Sequence, residues 1–194
     1  MAGDLSDTLK FLAAALDQLG IPYVIGGSMA SSARGIARAT RDIDIVADIR
    51  LDQADRFAAA LGPDWYVEPD QIRQALRVGQ AFNVIYMPRS QKVDIFPVVG
   101  EFQEAQLRRA SKLPLPFLGI EAEYPVASAE DILLAKLQWY RSGGEVSDRQ
   151  WSDITGVLAT NPDLDLEYVR SWAAHLRVSD LLDKALAEVA GELA

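Results

Sequence analysis

Residues 21–48, IPYVIGGSMASSARGIARATRDIDIVAD, constrain the fold more than any other part of the chain. A short apolar run at 23–25 ends at Gly26-Gly27, which predicts a strand stopped by a glycine turn. Small residues from Ser28 to about Ile36 predict a helix. Residues 42–47 then alternate, with Asp42, Asp44 and Val46 on one face and Ile43, Ile45 and Ala47 on the other. That period of two is a strand's. Strand, glycine turn, helix and a second strand carrying two acids follow one another within 28 residues.

The flanking sequence extends this start. Leu5, Leu9, Leu12, Leu16 and Leu19 follow helical spacing, with Asp4 or Ser6 as a cap and Gly20 and Pro22 as terminators. Residues 51–61 read as an amphipathic helix closed by Gly62-Pro63. Residues 81–87 and 92–96 read as strands of a hairpin through Pro88-Arg89-Ser90-Gln91. Three prolines within 111–126 suggest irregular or edge structure. The character then changes. Ser128 and Asp131 form a variant capping box opening a helix that runs to about Arg141. Gly143-Gly144 breaks it, and two or three further helices follow, with Asn161-Pro162 as another break. The expected class is α/β (α+β). A small mixed sheet with flanking helices occupies residues 1–126, and a C-terminal helical bundle occupies 127–194, packed on it as one unit.

Composition narrows the partners. The 194 residues contain no cysteine, which excludes disulfides, thiolate zinc and a cysteine nucleophile. The first residues carry acids where a signal peptide needs positive charge, and FLAAAL is too short to span a bilayer. A soluble cytoplasmic protein with no membrane partner is expected. The net charge of −9 is the opposite of what a protein living on phosphate contacts shows. Arg34, Arg38 and Arg41, and separately Arg108, Arg109 and Lys112, form two small basic clusters. They read as solvated charged faces rather than an RNA groove.

The chemistry sits on the acids. Carboxylates at i and i+2 of a strand point the same way with α-carbons about 6.5–7 Å apart, and can converge on hard cations such as magnesium. A merely solvated strand face is the plain alternative. Against it stand the apolar opposite face, the nearby glycine turn, and a third acid, Asp94, in the strand-like KVDIFPV. Three acids brought together repel and need a cation. In a two-metal scheme Asp42 and Asp44 hold the metals, and Asp94 binds the second or accepts the proton of an incoming hydroxyl. Gly26, Gly27 and Ser28 are a candidate phosphate cradle, because glycine admits an anion to the backbone and a helix N-terminus offers free amides. Ser28 adds a hydroxyl contact or caps the helix. The turn matches neither a Walker loop, lacking its lysine, nor G-x-G-x-x-G. His175, the lone histidine, reads as a core or surface residue. Trp139, Trp151 and Trp172 read as core.

Gly27-Ser28, thirteen residues, Asp42-Ile43-Asp44 and the later strand acid Asp94 together resemble the nucleotidyltransferase superfamily with the polymerase-beta-like core. The likeness covers roughly residues 21–98. A narrower one reaches the helical half, where DILLAKLQWYR followed by DRQWSDI is similar to the abortive-infection-type toxin nucleotidyltransferases. This resemblance implies that Lys136 contacts nucleotide phosphates and that Asp153 belongs to the active site. From the residues alone, Lys136 lies on a mostly apolar face and either contacts a nucleotide or snorkels to water. Asp153, at the border of the stripe Trp151, Ile154 and Leu158, reads as an ordinary surface acid.

The expected function is Mg2+-dependent (or Mn2+-dependent) transfer of a nucleoside monophosphate from a nucleoside triphosphate to an acceptor hydroxyl, releasing pyrophosphate. The acceptor is a small molecule, a protein or an RNA end such as that of tRNA. The toxin-like resemblance adds a possible antitoxin partner. The alternative is a non-catalytic nucleotide-binding or interaction module on the same fold.

Overall fold

The strand that carries the paired acids lies at the centre of a sheet. The computed structural model describes residues 2–34 and 42–192. The chain runs α1 (Ala2–Gln18), β1 (Tyr23–Ile25), α2 (Gly27–Ala33), β2 (Ile43–Ala47), α3 (Ala54–Leu61) and β3 (Trp65–Tyr66). It continues through α4 (Pro69–Val78), β4 (Phe82–Tyr86), β5 (Gln91–Pro97), α5 (Glu101–Arg109), β6 (Ser111–Leu115) and β7 (Ile120–Val126). Four helices close it: α6 (Ala129–Ser142), α7 (Asp148–Thr160), α8 (Leu166–His175) and α9 (Ser179–Glu192).

The seven strands form one mixed sheet of order β3-β4-β5-β2-β1-β7-β6. β2 pairs antiparallel with β1 and parallel with β5. β1 also meets β7 in parallel at Ile25 and Val126, and the remaining pairs are antiparallel. Ile43, Ile45, Val93 and Ile95 turn their side chains into a continuous apolar cluster. The cluster extends from Leu9, Leu12 and Leu16 of α1 to Leu133, Leu137, Val157 and Leu182 of the C-terminal helices. The helical half therefore shares the sheet's core.

Several elements depart from the expectations. α1 starts at Ala2, ahead of both expected caps, and Ser6 is buried within it. The helix expected at 28–36 starts at Gly27, and its expected end falls outside the described residues. The proline-bearing stretch takes the edge form of its two expected readings: it forms the β6–β7 hairpin, with Pro114 on the edge strand and a register shift between Pro114 and Leu115. α4 and α5 gave no sequence signal strong enough to be named, although both carry ordinary helix punctuation. α4 has Pro69 in its first turn and ends on Gly79 at φ +65. α5 has acids in its first turn and Arg108 and Arg109 in its last.

The junction into the helical half is tightly made. Ser128 Oγ accepts from the Asp131 amide at 3.1 Å, the expected cap. Asp131 is fully buried and accepts from Tyr168 Oη at 2.7 Å, which ties α6 to α8.

Candidate active site

The parallel pairing of β2 and β5 sets Asp44 level with Asp94. Neighbouring strands lie about 4.8 Å apart, so two side chains at one level on one face are immediate neighbours. The backbone alone imposes this, because Ile43 and Ile45 of β2 and Val93 and Ile95 of β5 must all face the core. Asp42 is exposed and immediately precedes β2. The registered pairing begins with Ile43 beside Val93. Asp42 and Lys92, one residue earlier on each chain, therefore flank the same end of the sheet. Lys92 Nζ lies 2.6 Å from Asp94 Oδ2.

Electrostatics record this crowding. The Asp44 carboxyl is pushed up to about 6, first by burial and then by the negative charges of Asp94 and Asp42. The ammonium groups of Lys136 and Lys92 oppose that rise. Lys92 itself is held above its usual value, chiefly by its bond to Asp94 and further by the charges of Asp42 and Asp44. Asp42 and Asp94 thus both act on Asp44.

The glycine turn is pressed against this group. Gly26 caps α2 and donates its N–H to the Asp44 carbonyl at 2.9 Å, so this amide belongs to the sheet and not to an anion. Gly27 has φ +54, and a Cβ placed on it would collide with the Asp44 carboxylate. Only glycine permits both that dihedral and that approach. Ser28 lies inside the first turn of α2 and so does not cap it. Met29, Ala30 and Ser31 are buried where α2 packs on β2 and α6, which explains the run of small residues.

Lys136 of α6 and Asp153 of α7 meet each other, Nζ to Oδ2 at 3.0 Å. Their side chains are only 13% and 16% exposed, so Lys136 does not snorkel to water and Asp153 is no ordinary surface acid. Lys136 acts on Asp44 through space, which puts the pair on the side of the acids. Lys92 is the site residue that sequence reasoning passed over. Its position two residues before Asp94 was the available signal, since alternate strand residues share a face.

Other expectations resolve differently. Trp139 is 54% exposed rather than core, and packs edge-on against Phe96, ring centroids 5.4 Å apart. Trp151 and Trp172 pack against the core cluster, and His175 is exposed in the last turn of α8, its ring against Trp172. Arg34 donates from Nε to the Ala127 carbonyl at 3.0 Å and from Nη2 to Ser111 Oγ at 2.7 Å. Arg109 pairs with Glu130 at 3.1 Å and stacks over the Tyr168 ring. These two arginines tie the chain to itself. Arg38 and Arg41 lie outside the described residues.

The donor set fits a hard divalent cation. Asp44 and Asp94 are neighbouring carboxylates, one of them desolvated and raised by the other, and a cation relieves both effects. Among the described residues no group of three acids, histidines or cysteines closes around a common point. Magnesium needs only one or two carboxylates and completes its shell with water and substrate phosphate oxygens.

No known family profile matches the chain, and no curated protein does so by sequence. Solved structures do match by shape. The solution structure of the antibiotic-resistance factor ANT(2'')-Ia superposes with a TM-score of 0.55 at 18% identity, covering 100% of both chains. A crystal structure of ANT(2'')-Ia in complex with adenylyl-2''-tobramycin superposes with a TM-score of 0.56 at 15% identity, covering 88% of this chain and 95% of that one. An antigenic nucleotidyltransferase-like protein from Paracoccidioides brasiliensis gives 0.50 at 18% identity, over 92% and 91%. The chain has the fold of the nucleotidyltransferase superfamily. Among the described residues no helix is long and apolar enough to cross a membrane.

Proposed function

We propose that this protein is a Mg2+-dependent (or Mn2+-dependent) nucleotidyltransferase that moves a nucleoside monophosphate from a nucleoside triphosphate to an acceptor hydroxyl. The observation that carries the reading is the level pairing of Asp44 with Asp94, against a glycine turn that approaches the Asp44 carboxylate more closely than any Cβ would allow. Asp44 and Asp94, with Asp42 at the same end of the sheet, would supply the carboxylates that hold the metal, which when bound neutralises triphosphate charge and polarises the reacting phosphoryl group.

The remaining work falls to the chain. The turn at Gly27 and Ser28 binds phosphate oxygens, because glycine admits an anion close to the backbone where a helix begins. Lys136 contributes an ammonium, aimed by Asp153, to the same phosphates. Asp94 accepts the acceptor's proton as the new oxygen–phosphorus bond forms at the α-phosphate. The bond from the α-phosphorus to its bridging oxygen breaks, and pyrophosphate leaves.

A small polyhydroxyl molecule is the favoured acceptor. ANT(2'')-Ia was crystallised with an adenylylated tobramycin, and a chain of net charge −9 suits a cationic acceptor better than a polyanion. Arg34 and Arg109 are engaged internally, which removes part of the basic surface an RNA acceptor would use. A protein hydroxyl or tRNA end as acceptor, a toxin-like role and an antitoxin partner make up the competing reading.

The test uses radiolabelled nucleoside triphosphates, labelled on the α-phosphate, with Mg2+ or Mn2+ and pools of small-molecule, protein and tRNA acceptors. Transfer of label by the wild type and its loss in the Asp42→Asn/Asp44→Asn double variant are expected. Undiminished transfer by that variant would remove the two acids from the chemistry. Magnesium-dependent nucleotide binding without transfer to any acceptor would favour a non-catalytic module.

A further inference from the structure

Two lysines reach the acids, and they are held in different ways. Lys136 is largely enclosed and has its own counter-ion in Asp153, so its position is fixed from α7. Lys92 is half exposed, and its ammonium is bonded to Asp94 itself, at 2.6 Å. The charges of Asp42 and Asp44 also act on it. Asp44 of β2, Asp42 just before it, and Asp94 and Lys92 of β5 therefore form a small four-cornered group in which Lys92 is the sole positive corner.

An ion pair this exposed contributes only about 0–1 kcal/mol to folding, so stability does not account for placing a lysine there. Position does. An ammonium on Asp94 Oδ2 occupies lone pairs that a divalent cation would need. It also supplies positive charge where three acids would otherwise repel. Its flexible four-carbon stem reaches into solvent, so the group can leave without disturbing the core.

We propose that Lys92 is a built-in counter-ion that competes with the divalent cation for Asp94 and, when the metal arrives with a nucleotide, transfers its hydrogen bonds to the nucleotide's phosphates. This rests on the nucleotidyl-transfer reading above and adds to it. Lys92 then selects for metal and nucleotide together over metal alone. It is a positioning residue toward Asp94 and a phosphate ligand once displaced.

Calorimetric titration separates these roles without relying on turnover. Mn2+ is titrated into wild type, Lys92→Met and Lys92→Arg, first alone and then with the non-transferable analogue α,β-methylene-ATP. Lys92→Met should bind Mn2+ alone about fivefold more tightly, the scale of one exposed ion pair. It should bind the analogue in the presence of Mn2+ about tenfold more weakly, the scale of a charge-assisted hydrogen bond. Lys92→Arg should return both affinities toward wild type. Thermal melts check that the variants fold. The proposal is overturned if Lys92→Met binds Mn2+ no more tightly than wild type, or binds the analogue equally well. In that case nucleotide binding by the wild type still stands. If the wild type binds no analogue with Mn2+, the nucleotidyl-transfer reading falls and takes the proposal with it.

Discussion

Asp44→Asn should produce a protein that is more stable and inactive. Asparagine keeps the shape of the side chain and removes the charge that burial, Asp94 and Asp42 all disfavour. The carboxyl moves from an ordinary 3.8 to about 6, roughly two units at about 1.36 kcal/mol each. The full penalty is thus about 3 kcal/mol, and with partial solvation a gain of about 1–3 kcal/mol is expected at pH 7.5. The sign follows from linkage. A carboxyl whose folded value lies above its unfolded value binds its proton more tightly in the native state. The wild-type penalty is therefore complete above about pH 6 and fades as the pH falls to about 4. Urea melts of both proteins at pH 7.5, 6 and 4 should show a difference that shrinks toward zero at the acid end. Saturating Mn2+ should raise the stability of the wild type more than that of the variant, because a bound ion stabilises only the state that binds it. A variant no more stable than wild type at pH 7.5, or an advantage that does not change with pH, would refute the idea that Asp44 is held in strain by its surroundings.

Two other perturbations address the turn and the helical half. Gly27→Ala forces a Cβ onto the Asp44 carboxylate at a positive φ, and should cost about 1–3 kcal/mol in urea melts along with transferase activity; wild-type stability would mean that the close approach is not maintained in solution. Lys136→Met takes the ammonium away from the largely enclosed Asp153 carboxylate, and should lose about 1–3 kcal/mol and raise the nucleotide KM. Adding Asp153→Leu should restore stability but not KM, and recovery of both would make the pair purely structural.

Much of this site was legible because strand periodicity is strict. The alternation at Asp42 and Asp44, and the isolated acid in KVDIFPV, fixed which side chains share a face before any pairing was known. Their register was not legible, since nothing local states that β2 lies beside β5 rather than against β7. Lys136 and Asp153 are 17 residues apart on different helices, and their meeting depends on how α6 packs on α7. Residue-level reading left Lys136 between two fates and Asp153 as a surface acid, because each gains its meaning only from the other. Lys92 went unnoticed for a related reason. A lysine on an exposed strand face is unremarkable until the acids of the adjacent strand are in view. Trp139 misled in the opposite direction, because a tryptophan in an apolar helix reads as core. The side of α6 that carries it meets Phe96 at the edge of the site and remains open beyond it.

The hydrogen bond from the Gly26 amide to the Asp44 carbonyl limits what substitution can change. The spacing between the glycine turn and the acidic strand is set by main-chain atoms, which no side-chain substitution can rewrite. Side chains around the turn can change while this spacing stays constant. By the same logic, alanine scanning is blind to this contact. Replacing the Gly26 amide with an ester, which deletes the single N–H, is the substitution that would reveal how much of the site's dimensions it maintains.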